Sequence, residues 1–187
     1  MINDQELTQD FRANSDAVYD NIYRANVQQL YSYGLRLGLE PEELKDYIQD
    51  IFYKLLCNST FLDNVTNVRA YLFRALKNRW QNALRDSRPT TELDGTIHEF
   101  SGEVNALETI INEEERTNMT SRLNLLLASL TNRQREAVFL RYIYELPYEE
   151  IAQTLDMSVP SARNLISRAI DHMRNVDAEA LLLFFFI

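Results

Sequence analysis

Apolar positions recur at spacings of three and four along most of this chain, the mark of helices that each bury one side. The spacing predicts a first helix over residues 15–37, with Val18, Ile22, Val27, Leu30, Tyr31, Leu35 and Leu37 on its apolar side. Gly38 suits a left-handed C-terminal cap. Pro41 suits the first turn of a second helix, where a missing N–H costs little. That helix runs to about residue 57 on a stripe of Leu44, Tyr47, Ile48, Ile51, Phe52 and Leu55. Glu42, Glu43, Asp46, Gln49, Asp50 and Tyr53 fall on its other side. Residues 58–67 are turn-rich. A third helix over about 68–86 turns Val68, Tyr71, Leu72, Ala75, Leu76, Trp80, Ala83 and Leu84 inward and leaves Phe73 off the stripe.

From Ser87 to about Gly102 the periodicity fails, and this stretch reads as a flexible acidic linker. Helical spacing returns with Val104, Leu107, Ile110 and Ile111 and continues through Leu123, Leu126, Leu127 and Leu130. Thr131 and Gln134 form a capping-box pattern that opens a helix through about Tyr144. Pro147 opens a short helix with Ile151, Ala152 and Leu155 inward, and Asp156-Met157-Ser158 breaks it. Ser158 then caps a last helix on a one-sided stripe of Ala162, Leu165, Ile166, Ala169, Ile170 and Met173. The expected class is all-α. Two small helical domains, 1–88 and 103–187, are joined by a linker at 89–102, and the second domain contains a helix-turn-helix.

Composition narrows the chemistry. Only 4 glycines and 4 prolines occur in 187 residues, which suits helices joined by short loops rather than many tight turns. Cys57 is the single cysteine, so no intramolecular disulfide can form, and a reducing, cytoplasmic setting is expected. His98 and His172 are far apart and lack cysteine partners, so no metal site is expected. No glycine-rich phosphate loop or nucleophile–base pair is present, and the chain is expected to be neither an enzyme nor a cofactor carrier. The polar, acidic start does not read as a signal peptide. The longest apolar run, Leu181–Ile187, is far short of the roughly 18–20 residues that span a bilayer, so no membrane insertion is expected.

Charge adds the most. The net charge is −9, yet residues 66–88 hold six cations (Arg69, Arg74, Lys77, Arg79, Arg85, Arg88) against Asp86 alone. Residues 125–174 are neutral overall. A basic strip interleaved with Tyr71, Phe73 and Trp80 can track phosphates and stack on unpaired bases. In the helix-turn-helix, Ser161, Arg163, Asn164, Ser167 and Arg168 point away from the core and can address a major groove. Asp46, Gln49 and Asp50 lie one turn apart on a helix surface and read as a solvated face or a docking face for a basic partner helix rather than as catalytic carboxylates.

Taken in order, these segments resemble an RNA polymerase sigma factor of the small, two-domain extracytoplasmic-function type. The resemblance spans roughly 15–174. It rests on Asp46-Tyr-Ile-Gln-Asp-Ile-Phe-Tyr-Lys-Leu-Leu, on the basic helix at 68–85, and on 130–174 with Tyr148-Glu-Glu-Ile-Ala-Gln and Ser167-Arg-Ala. It implies core RNA polymerase and promoter DNA as partners, with an anti-sigma protein as a further partner. Asp46, Gln49, Asp50 and Phe52 would bind polymerase, Phe52 from beneath the surface. Arg74, Lys77, Asn78 and Arg79 would face the minus-ten element, and the loop at about 59–67 would capture a flipped base. Ser161, Arg163, Asn164, Ser167 and Arg168 would read the minus-thirty-five element. The sequence departs from the pattern at Leu165 and Ile170, where relatives often carry cations, and in the tail Leu181–Ile187. A stand-alone helix-turn-helix regulator with a sensing or dimerising N-terminal domain is the competing reading, and a helical adaptor with no DNA role is the other.

Overall fold

The computed structural model describes residues 15–57, 67–86, 100–102 and 113–185. Among them are eight helices and no strand. The chain divides into two compact units, Met1–His98 and Glu99–Ile187.

In the first unit α1 (Ser15–Arg36), α2 (Pro41–Cys57) and α3 (Val68–Asp86) pack on one another. α2 buries the six side chains its spacing predicts: Leu44, Tyr47, Ile48, Ile51, Phe52 and Leu55. At about 1.5–3 kcal/mol for each large apolar side chain removed from water, that stripe fixes the helix's rotation. α1 is less regular. Its buried line is Val18, Ile22, Asn26, Leu30, Tyr33 and Leu37, while Leu35 is exposed. Asn26 is tolerated there because its amide donates to the Ile22 carbonyl at 2.8 Å. Gly38 takes φ 86° at the helix end, and Leu39 N–H reaches back to the Gly34 carbonyl at 3.1 Å. Gly34 serves close approach: a Cβ there would stand 2.2 Å from Leu44 Cδ1, in a side chain that is itself fully buried. Asn67 caps α3, its Oδ1 accepting from Ala70 N–H at 3.0 Å. Phe73 is not off the core stripe. It is fully buried, with its ring centroid 5.0 Å from that of Tyr33.

The second unit comprises α4 (Glu113–Ala128), α5 (Asn132–Tyr142), α6 (Tyr148–Thr154), α7 (Val159–Val176) and α8 (Ala178–Phe184). The capping box forms as expected, with Gln134 N–H on Thr131 Oγ1 and Thr131 N–H on Gln134 Oε1 at 3.0 Å. Pro147 precedes α6, and Ser158 Oγ accepts from Ser161 N–H at 3.3 Å to open α7. Two non-glycine residues in the left-handed region, Glu145 (φ 55°) and Asp156 (φ 51°), bracket α6 and turn the chain at each end.

Phe100, in the stretch expected as linker, is buried in the second unit. Its ring lies 5.4 Å from that of Phe139, and its N–H donates to Asn132 Oδ1. Arg135 binds its carbonyl at 2.9 Å while also capping α4 through the carbonyls of Leu127 (2.9 Å) and Leu130 (3.1 Å). Residues 89–99, and Val104, Leu107, Ile110 and Ile111, lie outside the described residues. The Phe184 ring also meets that of Phe139, at 6.2 Å, so the apolar tail docks on its own unit through Ala180, Leu181 and Phe184. Asp177 caps α8 on Ala180 N–H at 3.0 Å, and Arg122 grips the same carboxylate at 2.8 Å. Among the described residues no helix is long and apolar enough to cross a membrane.

Two outcomes follow. Gly34→Ala forces Leu44 from its site and should lower first-unit stability by about 1–3 kcal/mol, read as a shift in urea midpoint. The cap N–H of Ala180 and then Arg122 hold the Asp177 carboxyl below its ordinary value. A depressed pKa stabilises above the unfolded value of about 3.9 and loses that contribution as pH falls through the folded one. Docking of α8 should therefore weaken below about pH 4 in wild type, and Asp177→Asn should flatten that acid dependence. Amide exchange in α8 measures both.

Candidate polymerase and nucleic-acid interfaces

The stripe that buries one side of α2 sends Asp46, Gln49 and Asp50 to the surface together, at spacings of three and one. Phe52 is 1% exposed, with the Tyr23 ring edge-on at 4.9 Å and Tyr19 at 6.0 Å. Beside this acidic–amide face the structure opens a groove of 520 Å³ between α1 and α2. Tyr23, Tyr31, Phe52, Tyr53 and Leu56 line it, and Gln49 stands at its edge. Periodicity could not show this groove, because it arises where two helices part. The exposure of Tyr53 and Leu56 on a helix that buries six neighbours was its available signal.

α3 presents Arg74, Asn78 and Arg79 to solvent. Lys77, expected on the same side, is only 9% exposed. Residues 69, 73, 76 and 77 share one helix face by the i, i+3, i+4 rule. With Phe73 and Leu76 fully buried, Lys77 is carried inward beside them. Arg69, half-buried, donates to Gln29 Oε1 of α1 and works as an anchor within the unit. Tyr71 and Trp80 are half-buried; Tyr71 shares the face of Arg74 and Asn78 by helical spacing, whereas Trp80 falls on the side of Phe73 and Leu76. Of the loop assigned to base capture, at about 59–67, residues 59–66 lie outside the described residues.

The acidic face and the basic helix meet. Arg79 stands 3.5 Å from Asp50 Oδ2, and its guanidinium lies 4.9 Å from the Tyr47 ring centroid. A cation expected to face DNA and a carboxylate expected to face a protein thus neutralise each other across α2 and α3. Both are about half exposed, so the pair is open to competition from solvent and ligands.

In the second unit Ser161, Arg163, Asn164, Ser167 and Arg168 are all exposed on α7, opposite the buried Ala162, Ile166, Ala169 and Met173. Leu165 and Ile170 are half-buried flanks of that stripe. Ser161 shares its hydroxyl with Ser158 at 2.8 Å, which ties the start of the helix. Arg163 rests over Tyr148 and lies 3.5 Å from Glu149 Oε1. A short helix, a turn and a longer helix with an exposed polar side is an arrangement able to enter a major groove. Among the described residues no cluster of metal-ligating side chains occurs.

Comparison with known proteins finds matches in both helical units. Residues 22–90 match the model of Sigma-70 region 2, and residues 120–173 match that of Sigma-70, region 4. RNA polymerase sigma factor YlaC of Bacillus subtilis (strain 168) is 25% identical over 154 residues, 80% of this chain and 86% of that protein. The fold is similar to that of the sigma factor RpoE, solved with the anti-sigma factor NepR from Bartonella quintana. That likeness has a TM-score of 0.58 at 18% identity and covers 84% of this chain and 94% of the other. CnrH, solved with the cytosolic domain of CnrY, gives a TM-score of 0.56 at 20% identity over 92% and 96% of the two chains.

The exposed Asp50–Arg79 pair should contribute little to folding. A double-mutant cycle with Asp50→Ala and Arg79→Ala should give a coupling of about 0.2–1 kcal/mol that fades in 1 M salt, measured by denaturant unfolding.

Proposed function

This chain belongs to the sigma-70 family, of the small extracytoplasmic-function type, and on that premise we propose how its residues divide the family's work. The protein is a sigma factor: it binds core RNA polymerase and directs promoter-specific transcription initiation. The family is one of non-catalytic transcription factors. The observation that carries the reading is that the region 2 and region 4 models match in chain order, one on each helical unit. The stand-alone regulator lacks that support.

In our reading, Asp46, Gln49 and Asp50 dock on polymerase, with Phe52 supporting them from below. The groove floored by Phe52 and edged by Gln49 extends this surface with apolar area. Residues 1–88 act as the region 2 domain, and 103–187, together with Phe100, as the region 4 domain. Arg74, Asn78 and Arg79 engage the minus-ten strand, where Tyr71 offers a partly exposed ring. Unstacking each captured base costs a few kcal/mol, roughly, and contacts with the separated strand must offset it. Ser161, Arg163, Asn164, Ser167 and Arg168 address the minus-thirty-five duplex. The place of work is the cytoplasm, where the transcribing enzyme is. An anti-sigma protein is a fitting regulator, by likeness of fold to RpoE, which was solved with one.

Purified protein, core RNA polymerase and promoter DNA should together give specific initiation, and omission of either protein should abolish it. Tight duplex binding without polymerase would favour the stand-alone regulator instead. Asp50→Arg should weaken polymerase binding about tenfold or more by placing a cation against a basic partner. The variant's circular dichroism should stay that of wild type.

A further inference from the structure

Tyr148, the first residue of α6, carries two guanidinium groups on one ring. The Arg163 guanidinium carbon stands 4.5 Å from the ring centroid, and that of Arg141 stands 5.0 Å away. Arg141 comes from the last turn of α5 and Arg163 from the first half of α7. The helices on either side of α6 therefore both reach back to its opening residue. Two like charges brought this close repel. The electron-rich ring attracts each of them, and Glu149 Oε1, 3.5 Å from Arg163, offsets part of the charge. Arg141 is further fixed by one N–H donated to the Leu146 carbonyl at 3.1 Å. A guanidinium has five N–H donors, and the contacts described leave most of them unused.

The sequence singled out Arg163 but gave no role to Arg141 or Tyr148. The region 125–174 has no net charge, so few cations there can meet a phosphate backbone. Each must then act efficiently. A free arginine loses rotamer freedom when it binds, whereas a stacked one has already lost it.

We propose that Tyr148 is a positioning residue for duplex binding, holding Arg141 and Arg163 as a preorganised pair of cations that grips DNA backbone phosphates beside the recognition helix. The proposal rests on the assignment of α7 as the helix that enters the upstream groove. Arg141 and Arg163 supply the charge and Tyr148 supplies the placement. The ring, not the phenolic hydroxyl, does this.

The test uses the full chain with core RNA polymerase on a promoter from which the unaltered holoenzyme initiates, with complex formation measured across a salt series. Tyr148→Leu should weaken the promoter complex about fivefold to tenfold, and Tyr148→Phe should restore most of that loss. Arg141→Gln should weaken binding equally on promoters with different upstream sequences and lower the salt slope by about one. With Arg141→Gln and Arg163→Gln both present, adding Tyr148→Leu should change nothing more at low salt, where residual binding is measurable. A Tyr148→Leu protein that binds as wild type would overturn the proposal. So would a Tyr148→Leu loss that persists in the double-arginine background, since the ring would then only join α5, α6 and α7. Failure of the unaltered chain to initiate with core polymerase would overturn the family reading itself, and with it the proposal.

Discussion

The rotation of α2 about its own axis is the constraint on which the first unit depends. Six apolar side chains must leave water on one side, and Leu44 must fit where Gly34 supplies no side chain. Once that side is set, no freedom remains in where Asp46, Gln49 and Asp50 point. The same burial places Phe52 as the floor of the neighbouring groove. The polar face here is the reverse of a packing problem: it is what remains after the core has been satisfied.

The second unit is organised around Phe139 and Arg135. Phe139 meets the rings of both Phe100 and Phe184. Arg135 satisfies carbonyls at the end of α4 and at Phe100 with one guanidinium, so a single side chain completes a helix terminus and fastens an incoming segment. These contacts hold α5, and α5 in turn supports α7. The polar side of α7 can then be short and adaptable, because its placement does not depend on its own exposed residues.

Where burial follows a strict repeat, the sequence shows it plainly. The stripe of α2, the capping box at Thr131 and the caps around α7 all emerge as the residue pattern implies, since each is a local matter of spacing or of one side chain answering one backbone N–H. Reading fails where tertiary contact overrides the type of residue. Asn26 sits in a core line because a local carbonyl takes its amide. Lys77 goes inward because Phe73 and Leu76 take that face of α3 with them. Phe100 looks like linker until Arg135 and Asn132 are seen to meet its backbone. Of the residues expected to face DNA, all but Lys77 are exposed. The Asp50–Arg79 pair and the Tyr148 platform were not legible in the sequence, since both join residues on different helices and no one-dimensional period connects them.

The double lodging of Phe100 and Phe184 against Phe139 has a topological result. The path into the second unit and the path along its last described helix converge on one ring, so the unit is closed like a loop by its own extremities. Trimming by a protease at either extremity would open the same hollow. A bulky tag attached behind α8 would therefore bear on the same ring that fastens Phe100, rather than on a remote, indifferent corner of the unit.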